Sequence, residues 1–272
     1  MSTLTITTIQ SNLFWEDKQA NMQMLQQKIE SIIDKTEIVI LPEMFSTGFS
    51  MQPQLFAETM DGETMGWMKM VSNKNGIVLT GSVMIEEEGK YFNRLIWMLP
   101  NGQFGYYDKR HLFDYGEEDK HYSSGNKRLI ASVKGWKINL QVCYDLRFPV
   151  WARQAPSQSP PGGEEKNSAA EYDVLIYVAN WPERRSHAWK TLLCARAIEN
   201  QCYVIGVNRV GDDAKNIHYS GNSLVIDPMG QVLYHMADEE DINTITLSKE
   251  KLEEVRTRFP FLNDADDFII NS

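Results

Sequence analysis

Apolar residues in the first half of the chain follow two different periods. From Met22 to Ile33 they recur at steps of three and four, which predicts a helix over residues 17–34. A second helix is predicted over residues 62–75, because Asn75-Gly76 is a typical helix end. Between and after these helices the chain is β-branched or continuously apolar, which predicts strands over residues 4–10, 37–41, 77–85, 91–100 and 103–108.

The second half repeats this alternation of strands and one helix. Residues 128–134 and 136–142 are predicted to form paired strands, and residues 184–200 a helix. Further strands are predicted over residues 173–180, 202–210, 223–227, 231–237 and 242–247. The pattern therefore predicts an α/β protein, but periodicity alone does not distinguish a layered sandwich from a doubly wound sheet.

Two segments between predicted strands indicate loops. Asn101-Gly102 separates two strand patterns and predicts a hairpin, with both residues at the positive φ of a type I′ turn. Residues 156–170 read PSQSPPGGEEKNSAA and have no large apolar side chain, so they cannot support a packed core. Because strand and helix patterns continue on both sides, we expect one domain over residues 1–272 with a surface-loop insertion at 156–170.

Charge and cysteine content narrow the class of partner. The 27 basic and 37 acidic side chains give a net charge of −10, which disfavours nucleic acid, since that partner requires clustered Lys and Arg. The chain has no run of 18 apolar residues, and MSTLTITTIQ does not resemble a signal peptide, so neither a membrane nor secretion is expected. Three cysteines without a CxxC pair favour a reducing compartment, so we expect a cytoplasmic protein whose partner is a small molecule or another protein.

Three chemically reactive residues lie just after predicted apolar strands. Glu43 follows residues 37–41, Lys109 follows an aromatic strand, and Cys143 directly follows residues 136–142. Each has an ordinary structural interpretation as well: a solvated loop glutamate, a salt-bridged lysine and a buried core cysteine. Arg147 and Pro149 indicate that a helix starts near Cys143, and backbone N–H groups at such a junction are expected to lower the pKa of the thiol.

The motifs around these residues resemble the nitrilase superfamily of carbon-nitrogen hydrolases. The matching segments, in order, are LPEMFSTGF, YDKRHLF, VCYDLRFP, YVANWPERR and YSGNSLVIDPMG, and they extend over nearly the whole chain. The resemblance implies a four-layer α-β-β-α sandwich, a homodimer and an enzyme without metal or other cofactor. It assigns Cys143 as the nucleophile, Glu43 as the general base and Lys109 as the cation beside the tetrahedral intermediate.

A second glutamate is usual in this family, seven residues before a glycine in the loop that follows the lysine. That spacing selects Glu118 before Gly125, although the adjacent Glu117 is an alternative. The Tyr144 N–H is a candidate second donor to the oxyanion.

Several residues near the motifs are candidates for binding substrate. Arg147 and Arg185 can pair with a substrate carboxylate, although a structural ion pair is an equal alternative for each. Trp181 is expected to line the pocket, and His187 to lie near it because it follows NWPERR. The other histidines have no spacing typical of a zinc site.

The segments LPEMFSTGF and NWPERR most resemble the ω-amidase branch of the family. This implies hydrolysis of a 2-oxo dicarboxylic acid monoamide, such as 2-oxoglutaramate, through a cysteine thioester. An amidase for another small amide or an N-carbamoyl amino acid is the alternative within the family, and a catalytically silent binding or scaffold protein is the alternative outside enzymes. A papain-like protease is disfavoured because the CGSCW context is missing, and a cysteine phosphatase because Arg147 lies only four residues after Cys143.

Overall fold

The computed structural model describes residues 2–154, 170–266, 268 and 270, and its strands form two mixed sheets. The strands are β1 (Thr3–Gln10), β2 (Ile38–Ile40), β3 (Val78–Glu87), β4 (Lys90–Met98), β5 (Phe104–Asp108), β6 (Ile130–Val133), β7 (Trp136–Val142), β8 (Val174–Ala179), β9 (Tyr203–Asn208), β10 (Val210–Asp212), β11 (His218–Ile226), β12 (Val232–Ala237) and β13 (Asp241–Ser248).

The α-helices lie between the strands along the chain, except α7, which follows the last strand. The α-helices are α1 (Lys18–Glu30), α2 (Pro53–Phe56), α3 (Glu63–Asn75), α4 (Glu118–His121), α5 (Pro149–Ala152), α6 (Ser186–Asn200) and α7 (Lys249–Arg258). Short 3₁₀ helices lie at Asp114–Gly116, Cys143–Arg147, Glu183–Arg185 and Phe261–Asp264. Of the helices in the described residues, none is long and apolar enough to cross a membrane.

The two sheets have matching topologies. The first has the strand order β13-β1-β2-β3-β4-β5, and the second β10-β11-β9-β8-β7-β6 with β12 paired to β11. The pairs β1–β2 and β2–β3 are parallel in the first sheet, as are β7–β8 and β8–β9 in the second. The remaining pairs within both sheets are antiparallel.

Alternation along the strands places the layers. In β2, Ile38 and Ile40 pack into the core shared with the second sheet, whereas Val39 packs on the opposite face with the buried side chains of α1 and α3. On the second sheet, α6 covers β9 closely: a Cβ at Gly206 would lie 2.5 Å from a Leu193 methyl group. Helices therefore cover the outer faces, and the predicted four-layer α-β-β-α sandwich is confirmed.

Two local predictions were wrong. Helix α1 ends at Glu30, where Ser31 caps the last turn, and Ile33 is 98% exposed in the following loop. The β4–β5 hairpin is present, but only Gly102 has a positive φ (81°), so its turn is not type I′. The Gly102 N–H bonds to the Leu99 carbonyl, as in a type I turn followed by a left-handed glycine.

The other predicted strands and helices are present, with ends that differ by a few residues. Helix α7 was not predicted, and neither were the short helices α2 and α4. The loop predicted over residues 156–170 lies outside the described residues except for Ala170.

Candidate active site

Strand ends from both sheets bring the sequence candidates together. Lys109 directly follows β5, Cys143 directly follows β7, and Glu43 lies three residues beyond β2. Glu118, the first residue of α4, completes the group. Glu43, Lys109 and Glu118 are at most 1% exposed, and Cys143 is 9% exposed. The residues selected on sequence grounds therefore form one buried cluster.

The Lys109 ammonium lies between the two carboxylates. Its Nζ is 2.9 Å from Glu43 Oε1 and 2.8 Å from Glu118 Oε2. Burial alone would lower the pKa of Lys109, but the charges of Glu118 and then Glu43 raise it above its ordinary value. The lysine is therefore a fixed cation and not a base at neutral pH.

The buried environment of Glu118 favours the protonated form of its carboxyl group. Burial raises the pKa of Glu118 and the charge of Glu43 adds to this rise, while Lys109 opposes it. The pKa of Glu118 therefore lies above its ordinary value even though its carboxylate contacts the Lys109 ammonium.

Cys143 occupies a strained turn. It has a φ of 44°, in the left-handed region, and begins the 3₁₀ helix Cys143–Arg147. Burial raises the pKa of its thiol well above the ordinary value, and the charge of Glu43 and a hydrogen bond to Glu43 raise it further, against the effect of Lys109. The expectation of a lowered thiol pKa was therefore wrong, because carboxylates adjoin the sulfur and no long helix begins there.

Asn180 and Asn93 hold Glu43 in place, and neither was singled out from the sequence. The Asn180 N–H donates to Glu43 Oε2 at 2.7 Å, and the Asn180 side-chain amide donates to the Glu43 carbonyl at 2.6 Å. Asn93 of β4 donates to Oε1 of both Glu43 and Glu118, at 2.8 and 3.0 Å. Asn180 directly follows β8, so its position at a strand end could have identified it as a candidate site residue.

The geometry distinguishes the two adjacent glutamates. Glu118 is buried and accepts bonds from Lys109 and from the Phe113 N–H at 2.6 Å. Glu117 has 61% of its side chain exposed and pairs with Lys120. The structure therefore brings Glu118, and not Glu117, to Lys109.

Similarity to known proteins identifies the family of this chain. The model of the carbon-nitrogen hydrolase family matches residues 5–257. This chain belongs to that family. An omega-amidase of Yersinia enterocolitica, YafV, is 40% identical and covers 99% of this chain and 100% of its own length. A 2-oxoglutaramate amidase of Bacillus subtilis is 31% identical and covers 96% of each chain.

Solved structures show the same fold. A CN-hydrolase superfamily protein of Xanthomonas campestris, with an arsenic adduct in its active site, is 43% identical, has a TM-score of 0.94 and covers 100% of both chains. Nit3 of Saccharomyces cerevisiae is 24% identical with a TM-score of 0.82, and the match covers 95% of this chain and 94% of that one. The chain is thus a carbon-nitrogen hydrolase with the same α-β-β-α sandwich as these structures.

A cavity of about 250 Å³ leads to Cys143 of this hydrolase. Aromatic side chains form much of its wall, namely Phe49, Phe113, Tyr115, Tyr144, Trp181 and Tyr219. Arg147, Arg184, Arg185 and Lys215 also line it. A cavity of this size accommodates a small organic acid.

The arginines at the cavity are stacked on aromatic rings. The Arg185 guanidinium lies 4.9 Å from the centre of the Phe113 ring, and that of Arg147 lies 5.1 Å from the Trp181 ring. Within the part of the chain that the structure describes, neither arginine has an ion pair with a carboxylate, nor does Arg184. The structural ion pair considered for these residues is therefore not formed among the described residues.

The remaining candidates divide between the cavity and the surface. Tyr144 and Trp181 line the cavity as expected. His187 is exposed near the start of α6 and does not line the cavity, so the expectation for it is not met. Helix α6 begins at Ser186 and turns this side chain toward solvent. Over the described residues, no group of three or more His, Cys, Asp or Glu side chains could hold a metal ion.

Gly125 fixes the loop that carries Glu118 against the strand end that carries Lys109. Its N–H donates to the Lys109 carbonyl, and a Cβ there would lie 2.2 Å from the Asp108 carbonyl oxygen. We therefore expect Gly125→Ala to lower the free energy of unfolding by about 1–3 kcal/mol, measured by urea denaturation. Gly66→Ala is the control, because no atom lies within 4 Å of a Cβ there; equal destabilisation by both variants would contradict this account.

Proposed function

We propose that this hydrolase cleaves the terminal amide of a short 2-oxo dicarboxylic acid monoamide, such as 2-oxoglutaramate, to the dicarboxylate and ammonia. The observation that carries the proposal is a small cavity with Cys143 beside carboxylates, and along its wall guanidinium groups that have no carboxylate partner among the described residues. The names of two relatives, an omega-amidase and a 2-oxoglutaramate amidase, support the same substrate class.

In the first half of the reaction, Glu43 removes the thiol proton as Cys143 Sγ attacks the amide carbon. This base is needed because burial and Glu43 itself raise the pKa of the thiol. The developing oxyanion is stabilised by the Lys109 ammonium and the Tyr144 N–H. Glu43 then returns the proton to the amide nitrogen, the C–N bond breaks, ammonia leaves, and a thioester joins the acyl group to Cys143.

The second half uses the same groups on water. Glu43 accepts a proton from a water molecule, whose oxygen attacks the thioester carbon. The C–S bond breaks, the sulfur regains a proton from Glu43, and the new carboxylic acid releases its proton to solvent and leaves as its carboxylate. Glu118 and Asn93 keep Lys109 and Glu43 aligned through both halves, since each bonds directly to one or both of them.

Arg185 is proposed to bind the substrate's own carboxylate. Burial lowers the pKa of its guanidinium, the charge of Arg184 lowers it further, and Arg147 adds to that effect while Cys143 opposes it. A bound anion would relieve this crowding of positive charge. Arg185 and Cys143 line the same cavity, as this role requires.

We expect Arg185→Leu to lower kcat/KM for 2-oxoglutaramate by about tenfold or more, because a charge-assisted hydrogen bond is lost. This fall in kcat/KM should come mainly from a higher KM, measured by ammonia release. Arg258→Leu is the control, since Arg258 lies 5.1 Å from the Phe259 ring but outside the cavity. An unchanged KM in Arg185→Leu, or an equal loss for a neutral amide, would contradict the assignment.

A substrate panel tests the proposed function. The panel compares kcat/KM for 2-oxoglutaramate, glutamine, an N-carbamoyl amino acid and a simple nitrile. We expect the oxo-amide to be preferred by at least tenfold, or about 1.4 kcal/mol in transition-state free energy. A tenfold preference for the carbamoyl compound or the nitrile would reject the 2-oxo amide as substrate and leave the cysteine mechanism standing.

Organisation and location are further parts of the proposal. A single domain is supported by the core between the sheets, which includes residues from Leu4 to Leu252. A cytoplasmic location is supported by the three cysteines, which are all free thiols. A homodimer is proposed from the family resemblance. Size-exclusion chromatography with light scattering would measure the mass of the assembly.

A further inference from the structure

We propose that Asp145 is a positioning residue that sets the Cys143 turn against the loop that carries Lys109. The inference rests on the proposed roles of Cys143 and Lys109. Asp145 lies two residues after Cys143, within the same 3₁₀ helix, and is fully buried. No step of the proposed reaction uses its carboxylate.

The Asp145 carboxylate accepts four hydrogen bonds, two on each oxygen. Oδ1 accepts from the His111 N–H at 3.0 Å and bonds to His111 Nδ1 at 2.8 Å. Oδ2 accepts from the Val142 N–H at 3.0 Å and from the Tyr107 hydroxyl at 2.8 Å. One oxygen thus binds the segment just after Lys109, and the other binds the residue just before Cys143.

The Tyr107 hydroxyl extends this connection to both sides. It accepts from the Arg110 N–H at 3.2 Å and from Trp151 Nε1 of α5 at 2.9 Å. The Tyr107 hydroxyl thus joins residues before and after Lys109 to the Asp145 carboxylate, which holds the Cys143 turn. The His111 ring stacks on Phe148, with ring centres 3.8 Å apart. Because Phe148 directly follows the 3₁₀ helix, this contact holds the far end of that helix against the Lys109 loop.

This arrangement explains how a positive φ is maintained at Cys143. A non-glycine residue in the left-handed region is held there by surrounding contacts. The contacts to Asp145 fix both the strand end before Cys143 and the turn after it. Among the described residues, Asp145 has no Lys or Arg ion-pair partner, so its charge is balanced by hydrogen-bond donors, one of which is the His111 ring.

Asparagine cannot replace this carboxylate, although it has the same shape. Each oxygen of Asp145 accepts from one backbone N–H, on Val142 or on His111. In either orientation of an asparagine, its NH₂ group would face one of these backbone donors. Asp145→Asn must therefore loosen either the Cys143 turn or the Lys109 loop.

The experiment measures kcat and KM of Asp145→Asn with 2-oxoglutaramate, and the rate at which iodoacetamide alkylates Cys143. We expect kcat to fall by about 100-fold, because a displacement of about 1 Å at the reacting atoms has an effect of this size. KM should stay within about threefold, since Arg185, which is proposed to bind the substrate carboxylate, lies on a different segment from Asp145. Alkylation should slow by about tenfold, because the same turn aims the sulfur.

Asp173→Asn is the matched control. Asp173 is also a buried carboxylate that accepts a backbone N–H, from Lys137, but it binds Lys249 and Arg256 far from the cavity. We expect this variant to melt at a lower temperature and to keep the native kcat. A native kcat in Asp145→Asn, or an equal loss in Asp173→Asn, would overturn the positioning role.

If Asp145→Asn does not fold, Tyr107→Phe decides. This variant keeps both backbone bonds to Asp145 and removes one donor, so we expect kcat to fall by about tenfold at constant KM. A native kcat would again overturn the inference. The alkylation rates need no substrate, so they still test Asp145 if the panel shows that the proposed substrate is wrong.

Discussion

Cys143→Ala is expected to fold and to lose turnover by a factor of about 10⁴ or more, because no other group can form the acyl intermediate. The loss should appear in kcat, measured by ammonia release from 2-oxoglutaramate. The thermal transition should change little, since Cys143 lines the cavity and removal of its sulfur leaves the Asp145 contacts in place.

The other two thiols provide the controls for this result. Cys194 lies on α6 and Cys202 is buried next to β9, and neither lines the cavity. Cys194→Ala and Cys202→Ser should therefore retain turnover. Full activity in Cys143→Ala would end the proposed mechanism, and loss of activity in folded Cys194→Ala would point to a different nucleophile.

Glu43→Gln is expected to lower kcat by about 100-fold or more, because glutamine keeps the shape of the side chain but cannot accept the thiol proton. The raised pKa of the Cys143 thiol makes this base necessary at neutral pH. In the variant, the remaining activity should increase as the pH rises, since the thiolate then forms without Glu43. The measurement is the pH profile of kcat between neutral and alkaline pH.

Glu37→Gln is the matched control, since the two glutamates lie near opposite ends of β2 and have similar partners. Glu37 accepts a backbone N–H from Thr5 at 2.7 Å and pairs with Lys134 at 2.9 Å, just as Glu43 accepts from Asn180 and pairs with Lys109. We expect native turnover in Glu37→Gln. A native pH profile and kcat in Glu43→Gln would remove Glu43 from the reaction.

The fold and the position of the site could be predicted in large part from the chain. Strand β7 alternates apolar and polar side chains and β5 is rich in aromatic ones, so the strand ends that carry Cys143 and Lys109 were evident in the sequence. Hydrophobic periodicity gave no preference between a sandwich and a doubly wound sheet, and the four layers came from the resemblance alone. The turn at Asn101 was mispredicted because Asn-Gly suits more than one hairpin geometry.

The supporting groups of the site could not be predicted in the same way. Asn93 lies within β4, and its contacts to two carboxylates depend on which strands become neighbours. The raised pKa of the thiol depends on burial and on Glu43, which is 100 residues away in sequence and adjacent only after folding. His187 follows a matching motif, but the direction of its side chain is set by where α6 begins.

The acyl intermediate provides the most direct test of the central claim. The native hydrolase is mixed with 2-oxoglutaramate, quenched in acid during turnover, digested and analysed by mass spectrometry. The account predicts that the peptide containing Cys143 carries an added mass equal to the substrate minus ammonia, and that hydroxylamine removes it. Turnover with no adduct at Cys143, or with an adduct on another residue, would contradict the account.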